Sequence, residues 1–324
     1  MRLRQDEGIE VKSPAQLALM REAGLVTAAA LRAAVAAVEP GISTAELDAI
    51  AEREIRAAGA IPSFLGYHGY PATICASVND QIVHGIPRPD QVLRAGDVIS
   101  VDCGAIVDGW HGDAAVTVRV TGPTEKQDAG RRDPAQYREE EVAGLISACQ
   151  NALWQGLAQA VPGRRLTDIS HAIEQAARAA GPYGIVREYT GHGIGTRMHM
   201  DPPIPNHGRA GRGPVLSAGI TLAIEPMLVL GRPQTMLLDD DWTVVTADGS
   251  WAAHFEHTVA ITEDGPWVLT SEDGGADRFA LRRASGRATQ GHPDGSAMGD
   301  DAAAMAGAAS CTTGTASEGA RHGL

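Results

Sequence analysis

The sequence predicts an α+β domain made of two similar halves. Three observations carry this: two capped helical stretches near the start, a pair of apolar runs joined by an Asp-Gly turn, and the return of that pattern about 122 residues later.

Ser13-Pro14-Ala15-Gln16 announces the first helix. Ser13 can cap, Pro14 suits the first helical position, and Gln16 completes a capping box. The helix should run to about Val38, where Pro40-Gly41 breaks it. A second helix follows from Thr44 to Ala58 and is closed by Gly59. Asp97 to Val107 then reads as a strand, Asp108-Gly109 as a hairpin turn, and Gly112 to Val120 as the returning strand. A turn centred near Asp108 sets Asp102 almost opposite Asp113, at the ~5 Å of cross-strand neighbours.

Pro40-Gly41 through Gly59 reappears as Pro162-Gly163 through Gly181, with Glu52 matched by Glu174 and an Arg-Ala-Ala-Gly ending in both copies. Ala95 to Asp102 likewise matches Ala218 to Glu225, acid for acid. A repeat this long is no solenoid unit but a duplicated half. The predicted organisation is an amino-terminal extension over 1–12, a single domain over 13–272 with halves of about 13–121 and 137–272, and a Gly/Ala/Ser/Thr-rich tail over 273–324. That tail has too few large apolar residues to offset the entropy of ordering and is expected to be disordered.

Of 324 residues, 40 are acidic and 27 basic, and the net charge of -13 argues against a surface built to hold nucleic acid or an anionic membrane. Four cysteines without CxxC spacing suggest neither a disulfide scaffold nor a thiolate zinc site. No signal-peptide run is present at the start, and no window reaches the ~20 apolar residues of a membrane helix. A cytoplasmic protein with no membrane or direct nucleic-acid partner is expected.

The candidate chemistry lies in acids placed among apolar residues. Two carboxylates as close as Asp102 and Asp113 need a proton or a cation between them. Glu225 ends the apolar run Ile220 to Ile224 and precedes Pro226, a costly place for an unpartnered acid. Glu256 lies in His254-Phe255-Glu256-His257-Thr258, where alternation puts it on the face of His254 and Thr258. His192 is flanked by glycines that let the backbone bring its ring close to another group. Taken singly, Glu256 fits an exposed strand face and His192 a turn. Together the four carboxylates and one imidazole could hold two divalent ions sharing a water, and an oxygen-rich set of this kind suits Co, Mn, Fe(II) or Zn. HExxH, GxSxG and Cys/His nucleophile signatures are missing, which leaves metal-assisted hydrolysis.

Lys12-Ser-Pro, Met20-Arg-Glu-Ala-Gly, Leu65-Gly-Tyr-His-Gly-Tyr-Pro, Ser77-Val-Asn-Asp with His84-Gly-Ile-Pro, Val101-Asp-Cys-Gly, Gly191-His-Gly-Ile-Gly, Ala223-Ile-Glu-Pro-Met and Phe255-Glu-His-Thr follow one another in order over about Ile9 to Thr270. This series resembles the type I methionine aminopeptidases of bacteria. The resemblance implies the pita-bread fold: two pseudo-twofold-related αβ halves around a central curved antiparallel sheet. It also implies a site in which Asp102 and Asp113 bind one metal ion, His192 and Glu225 the other, and Asp113 and Glu256 bridge. Glu225 would serve as general base, His199 would donate to the scissile carbonyl oxygen, and His84 would lie near the substrate amine and scissile nitrogen. Phe64, Tyr67, Tyr70, Cys75, Met198 and Trp242 would surround the methionine side chain, whose thioether gains from aromatic contacts.

The substrates so implied are nascent polypeptides with amino-terminal Met and a small second residue, met by a monomer that touches the ribosome transiently. Phe64, Met198 and His199-Met200-Asp201-Pro202 depart from the common family pattern and bear on pocket shape. Two other readings share the fold: a prolidase or aminopeptidase P, and a metal-free binding module. Xaa-Pro cleavage would mark the first and absence of stoichiometric metal the second.

Overall fold

In the computed structural model of the protein the described residues are 8–122 and 137–281. All belong to one compact unit. The joining stretch 123–136 and the tail from 282 lie outside the described residues, as do residues 1–7 of the predicted extension. The predicted tail boundary is early. Residues 276–281 are helical and Phe279 packs edge-on against Trp154 at 5.5 Å, so the ordered chain continues past 273.

The first half opens with α1 (Pro14–Ala36) and α2 (Thr44–Ala57), both begun by capping boxes, at Ser13 with Gln16 and at Ser43 with Glu46. α1 ends two residues before the predicted Val38. Its buried Leu17, Met20, Gly24, Thr27, Leu31 and Ala34 form one helical stripe. Then come β1 (Ile61–Pro62), β2 (Ile74–Val78), β3 (Gln81–Val83), β4 (Val98–Val107) and β5 (Trp110–Arg119). The second half repeats the plan with α3 (Glu139–Leu157), α4 (Leu166–Ala180), β6 (Gly184–Ile185), β7 (Gly191–Gly193), β8 (Met200–Ile204) and β9 (Thr221–Ile224). It closes with β10 (Met227–Val229), β11 (Thr235–Leu237), β12 (Val244–Thr246), β13 (Ala252–His254), β14 (Glu256–Thr262) and β15 (Gly265–Val268).

The β4–β5 turn has positive φ at both central residues, 48° at Asp108 and 81° at Gly109, the type I′ geometry favoured by Asp-Gly. Because both strands run right up to it, Asp102 faces Ala115 and Asp113 faces Gly104. The expectation that the two acids sit directly opposite is therefore corrected by two residues: they are diagonal neighbours on one face.

The duplication is written into the hydrogen bonds. Gly41 N–H donates to Leu93 O and Gly163 N–H to Leu216 O, each at 2.9 Å. Isolated bridges pair Ser43 with Val92 and Arg165 with Val215. Gly96 and Gly219 share φ of +93° at the matched turns that lead into β4 and β9. Nine antiparallel strands form the main sheet in the order β1-β4-β5-β14-β9-β7-β8, with β2 also on β4 and β15 also on β14. β14 is thus the seam, paired to β5 of the first half on one edge and to β9 of the second on the other. Val101, Cys103 and Ala114 pack under α1 and α2, while Leu222, Ile224, Phe255 and Val259 pack under α3 and α4. Alternation turns the residues between them the other way.

Candidate metal centre and adjoining pocket

Two neighbouring cross-strand rows build the centre. One runs Asp102 on β4, Ala115 on β5 and Glu256 on β14. The β14–β9 register, His257 opposite Ile224, brings Glu225 in beside Glu256 just past the end of β9. The second row runs Gly104, Asp113, then Thr258 across β14, Ala223 and His192. The Thr258 hydroxyl fixes the seam at Asp113, accepting from its N–H at 3.0 Å and donating to its carbonyl at 2.9 Å. Every non-ligand in these rows is small. Gly104 has a second use, because a Cβ there would stand 2.8 Å from Ser63 Cβ and 2.9 Å from Phe64 Cε1.

The five candidate ligands therefore share one face of one sheet. Asp113, His192 and Glu256 offer ligand atoms all within 4.8 Å of one another. His192 Nδ1–H donates to the Gly193 carbonyl at 2.9 Å, which leaves Nε2 as the lone-pair atom, 3.6 Å from Glu225 Oε1. Burial pushes His192 down to about 3, so its ring is neutral. Burial pushes Asp102 up to about 7. Burial first, then the neighbouring carboxylates, push Asp113, Glu225 and Glu256 well above the usual range.

So many carboxyls cannot all ionise together unless positive charge comes among them. Asp102 Oδ1, Asp113 Oδ1 and Glu256 Oε1 are buried with no hydrogen-bond partner. Orphan acceptors this close, beside an imidazole lone pair, fit divalent cations.

A cavity of about 270 Å³ opens beside the acids and is lined by all of Phe64, Tyr67, Tyr70, Cys75, His84, Met198, His199 and Trp242, together with Asp102, Asp113, His192, Glu225 and Glu256. Each site residue expected from the sequence thus reaches one space. Cys75 on β2 lies directly across from Asp102, which joins the apolar end to the acids. Burial pushes its thiol up, with the Asp102 charge adding to the effect, so it remains protonated. Tyr70 stacks edge-on against Trp242 at 5.0 Å, and its hydroxyl lies 3.0 Å from the carbonyls of Ile74 and Gly85.

The His199 ring sits 4.3 Å from that of His192, and its Nδ1 is 2.8 Å from the Tyr67 hydroxyl. His84 is held in the left-handed region at φ 59° and meets Tyr189 and Trp242 edge-on. Burial pushes it down to about 4. A second trough of about 610 Å³ along α3 and α4, bordered by Gln155, Gln159, His171 and Gln175, is lined by none of the five candidate ligands.

Val83, Glu188, Tyr189 and Thr190 also line the cavity, and no sequence signal marked them. His254 was the larger omission. It is 1% exposed, and with Glu225 and Glu256 it forms a second group of ligand-type atoms within 4.8 Å of one another. Alternation with Glu256 was its only trace.

The sequence pattern of metallopeptidase family M24 matches residues 18–263. Methionine aminopeptidase 1 of Mycobacterium tuberculosis is 54% identical over 83% of this chain and 97% of its own. Methionine aminopeptidase 1 of Bacillus subtilis is 46% identical over 80% and 98%. The crystal structure of methionine aminopeptidase from Thermotoga maritima superposes with a TM-score of 0.75 at 38% identity, covering 82% of this chain and all of that one. A prolidase from Pyrococcus furiosus shares the fold at a TM-score of 0.58 and 22% identity, with 65% of its length covered.

Proposed function

The chain belongs to metallopeptidase family M24, among the bacterial-type type I methionine aminopeptidases, and from that premise we propose that it hydrolytically releases the initiator methionine from nascent polypeptides whose second residue is small. The observation that carries the proposal is the convergence of orphaned acids and a lone-pair imidazole on the same cavity as an aromatic, thiol-lined recess.

Asp102, Asp113, His192, Glu225 and Glu256 would hold two divalent ions, which when bound supply Lewis acidity and bring the pKa of water toward neutrality. The recess of Phe64, Tyr70, Cys75, Met198 and Trp242 takes the methionine side chain, excluding water and offering rings to the thioether. Glu225 accepts the proton of the attacking water. His199, steadied through Nδ1 by Tyr67, turns Nε2 to the scissile carbonyl oxygen and stabilises the charge that develops there. His84, kept neutral by burial, is oriented toward the scissile nitrogen.

Purified protein supplied with Mn or Co is expected to release Met from Met-Ala-Ser and to leave Ala-Pro intact. Glu225→Gln should abolish turnover while circular dichroism and thermal melting stay close to wild type. Full activity in that variant would reject the assigned base.

A further inference from the structure

Glu225 lies between two imidazoles, one at each carboxylate oxygen. His192 Nε2 is 3.6 Å from Oε1, and His254 Nε2 is 3.7 Å from Oε2. His254 Nε2 is also 3.9 Å from Glu256 Oε2, and it is buried without a hydrogen-bond partner. The two rings are prepared differently. Nδ1 of His192 is committed to the Gly193 carbonyl, which frees Nε2 as a lone pair. His254 makes no corresponding ring hydrogen bond among the described residues. With divalent ions bound the two glutamates are ionised, and a neutral ring turning a lone pair to them would be repelled by both, so the favourable tautomer carries its proton on Nε2.

The backbone aims the ring independently of these contacts. His254 N–H donates to the Thr117 hydroxyl at 2.8 Å, and that hydroxyl donates to the His254 carbonyl at 2.7 Å. β13 also sets His254 opposite Met227, two residues beyond Glu225.

We propose that His254 is a positioning residue for the general base, its Nε2–H directed at Glu225 Oε2 and steadying Glu256, and that it is not itself a metal ligand. The inference rests on Glu225 acting as base. It predicts a division of labour on opposite sides of one carboxylate: His192 supports the ion, and His254 holds the oxygen that receives the proton. A group acting one step behind a ligand in this way is worth about 10- to 100-fold in activity.

The test compares wild type, His254→Ala and His254→Gln, with His192→Ala as reference. Hydrolysis of Met-Ala-Ser and calorimetric titration with Mn are both measured. In His254→Ala, kcat should fall about 10- to 100-fold while KM and Mn affinity stay within about threefold. Glutamine, which keeps an N–H donor, should recover most of the loss. Unchanged kcat in the alanine variant, no advantage of glutamine over alanine, or a loss of Mn affinity as large as that of His192→Ala would each overturn the assignment.

Nitrogen-15 NMR of histidine-labelled, zinc-loaded wild type reads the contact without turnover or variants at His254. A protonated Nε2 whose resonance shifts in Glu225→Gln supports it, and an unprotonated Nε2 refutes it. If the wild type released no methionine, the proposed activity would fail, while the NMR result would still decide whether His254 addresses Glu225.

Discussion

Asp102 shows at the scale of one side chain what the centre costs. Burial lifts its carboxyl to about 7, so with metal chelated the folded protein keeps a proton that the unfolded chain gives up from about pH 4. The folded state binds more protons throughout that interval, so this group's contribution to stability declines as pH rises from about 4 to about 7. Asp102→Asn removes the effect. Urea melts in chelator should show the variant gaining on wild type across that interval, and a difference independent of pH would contradict it. Gly104 makes a complementary point about space. An alanine Cβ would press on Phe64 Cε1 at 2.9 Å and drive the ring toward the cavity. Gly104→Ala is expected to cost about 1–3 kcal/mol in a denaturant melt and to raise KM for Met-Ala-Ser more than it lowers kcat.

At the scale of elements, the features most legible in the sequence were those set by neighbours in the chain. The capping box read at Ser13 is an example, and the structure repeats it at Ser43, whose hydroxyl accepts from Glu46 N–H at 3.3 Å while the Glu46 carboxylate accepts from Ser43 N–H at 2.8 Å. Ser43→Ala should cost about 1 kcal/mol of unfolding free energy and leave kcat unchanged, since α2 lines no part of the cavity. The Asp108-Gly109 turn was equally local. Register across it was not, because it depends on how far both strands run before the turn, and this is why Asp102 and Asp113 proved diagonal. His254 was harder still. Alternation gave its face, but its approach to Glu225 comes from the pairing of β13 with β10, a contact between segments that no local pattern records. Tyr189 and Glu188 reach the cavity from a loop with neither periodicity nor motif.

Across the whole molecule, the recurrence of Pro-Gly helices and matched acids revealed the two halves before any coordinate did. It did not reveal which strand joins them. That strand is β14, and through it Asp102 and Asp113 of one half meet His192 and Glu225 of the other around Glu256. A divalent ion bound there ties both halves and is absent from the unfolded chain, so metal should stabilise the entire domain. Scanning calorimetry is expected to show one transition that moves to lower temperature on chelation, reflecting the loss of about 2.7 kcal/mol of stability relative to an ion at 100 times its dissociation constant. Two separate transitions, or no shift, would mean that the halves are not coupled through the centre.

β14 also has a bearing on the order in which the centre is made. Glu256 follows Asp102, Asp113, His192 and Glu225 along the chain, so during translation four of the proposed ligands emerge before the fifth. Until then β5 and β9 each keep an open edge awaiting the same strand. A growing chain therefore carries nearly all the parts of the proposed reaction centre without the centre, and assembly of the whole is deferred until one of the final strands of the domain has been synthesised.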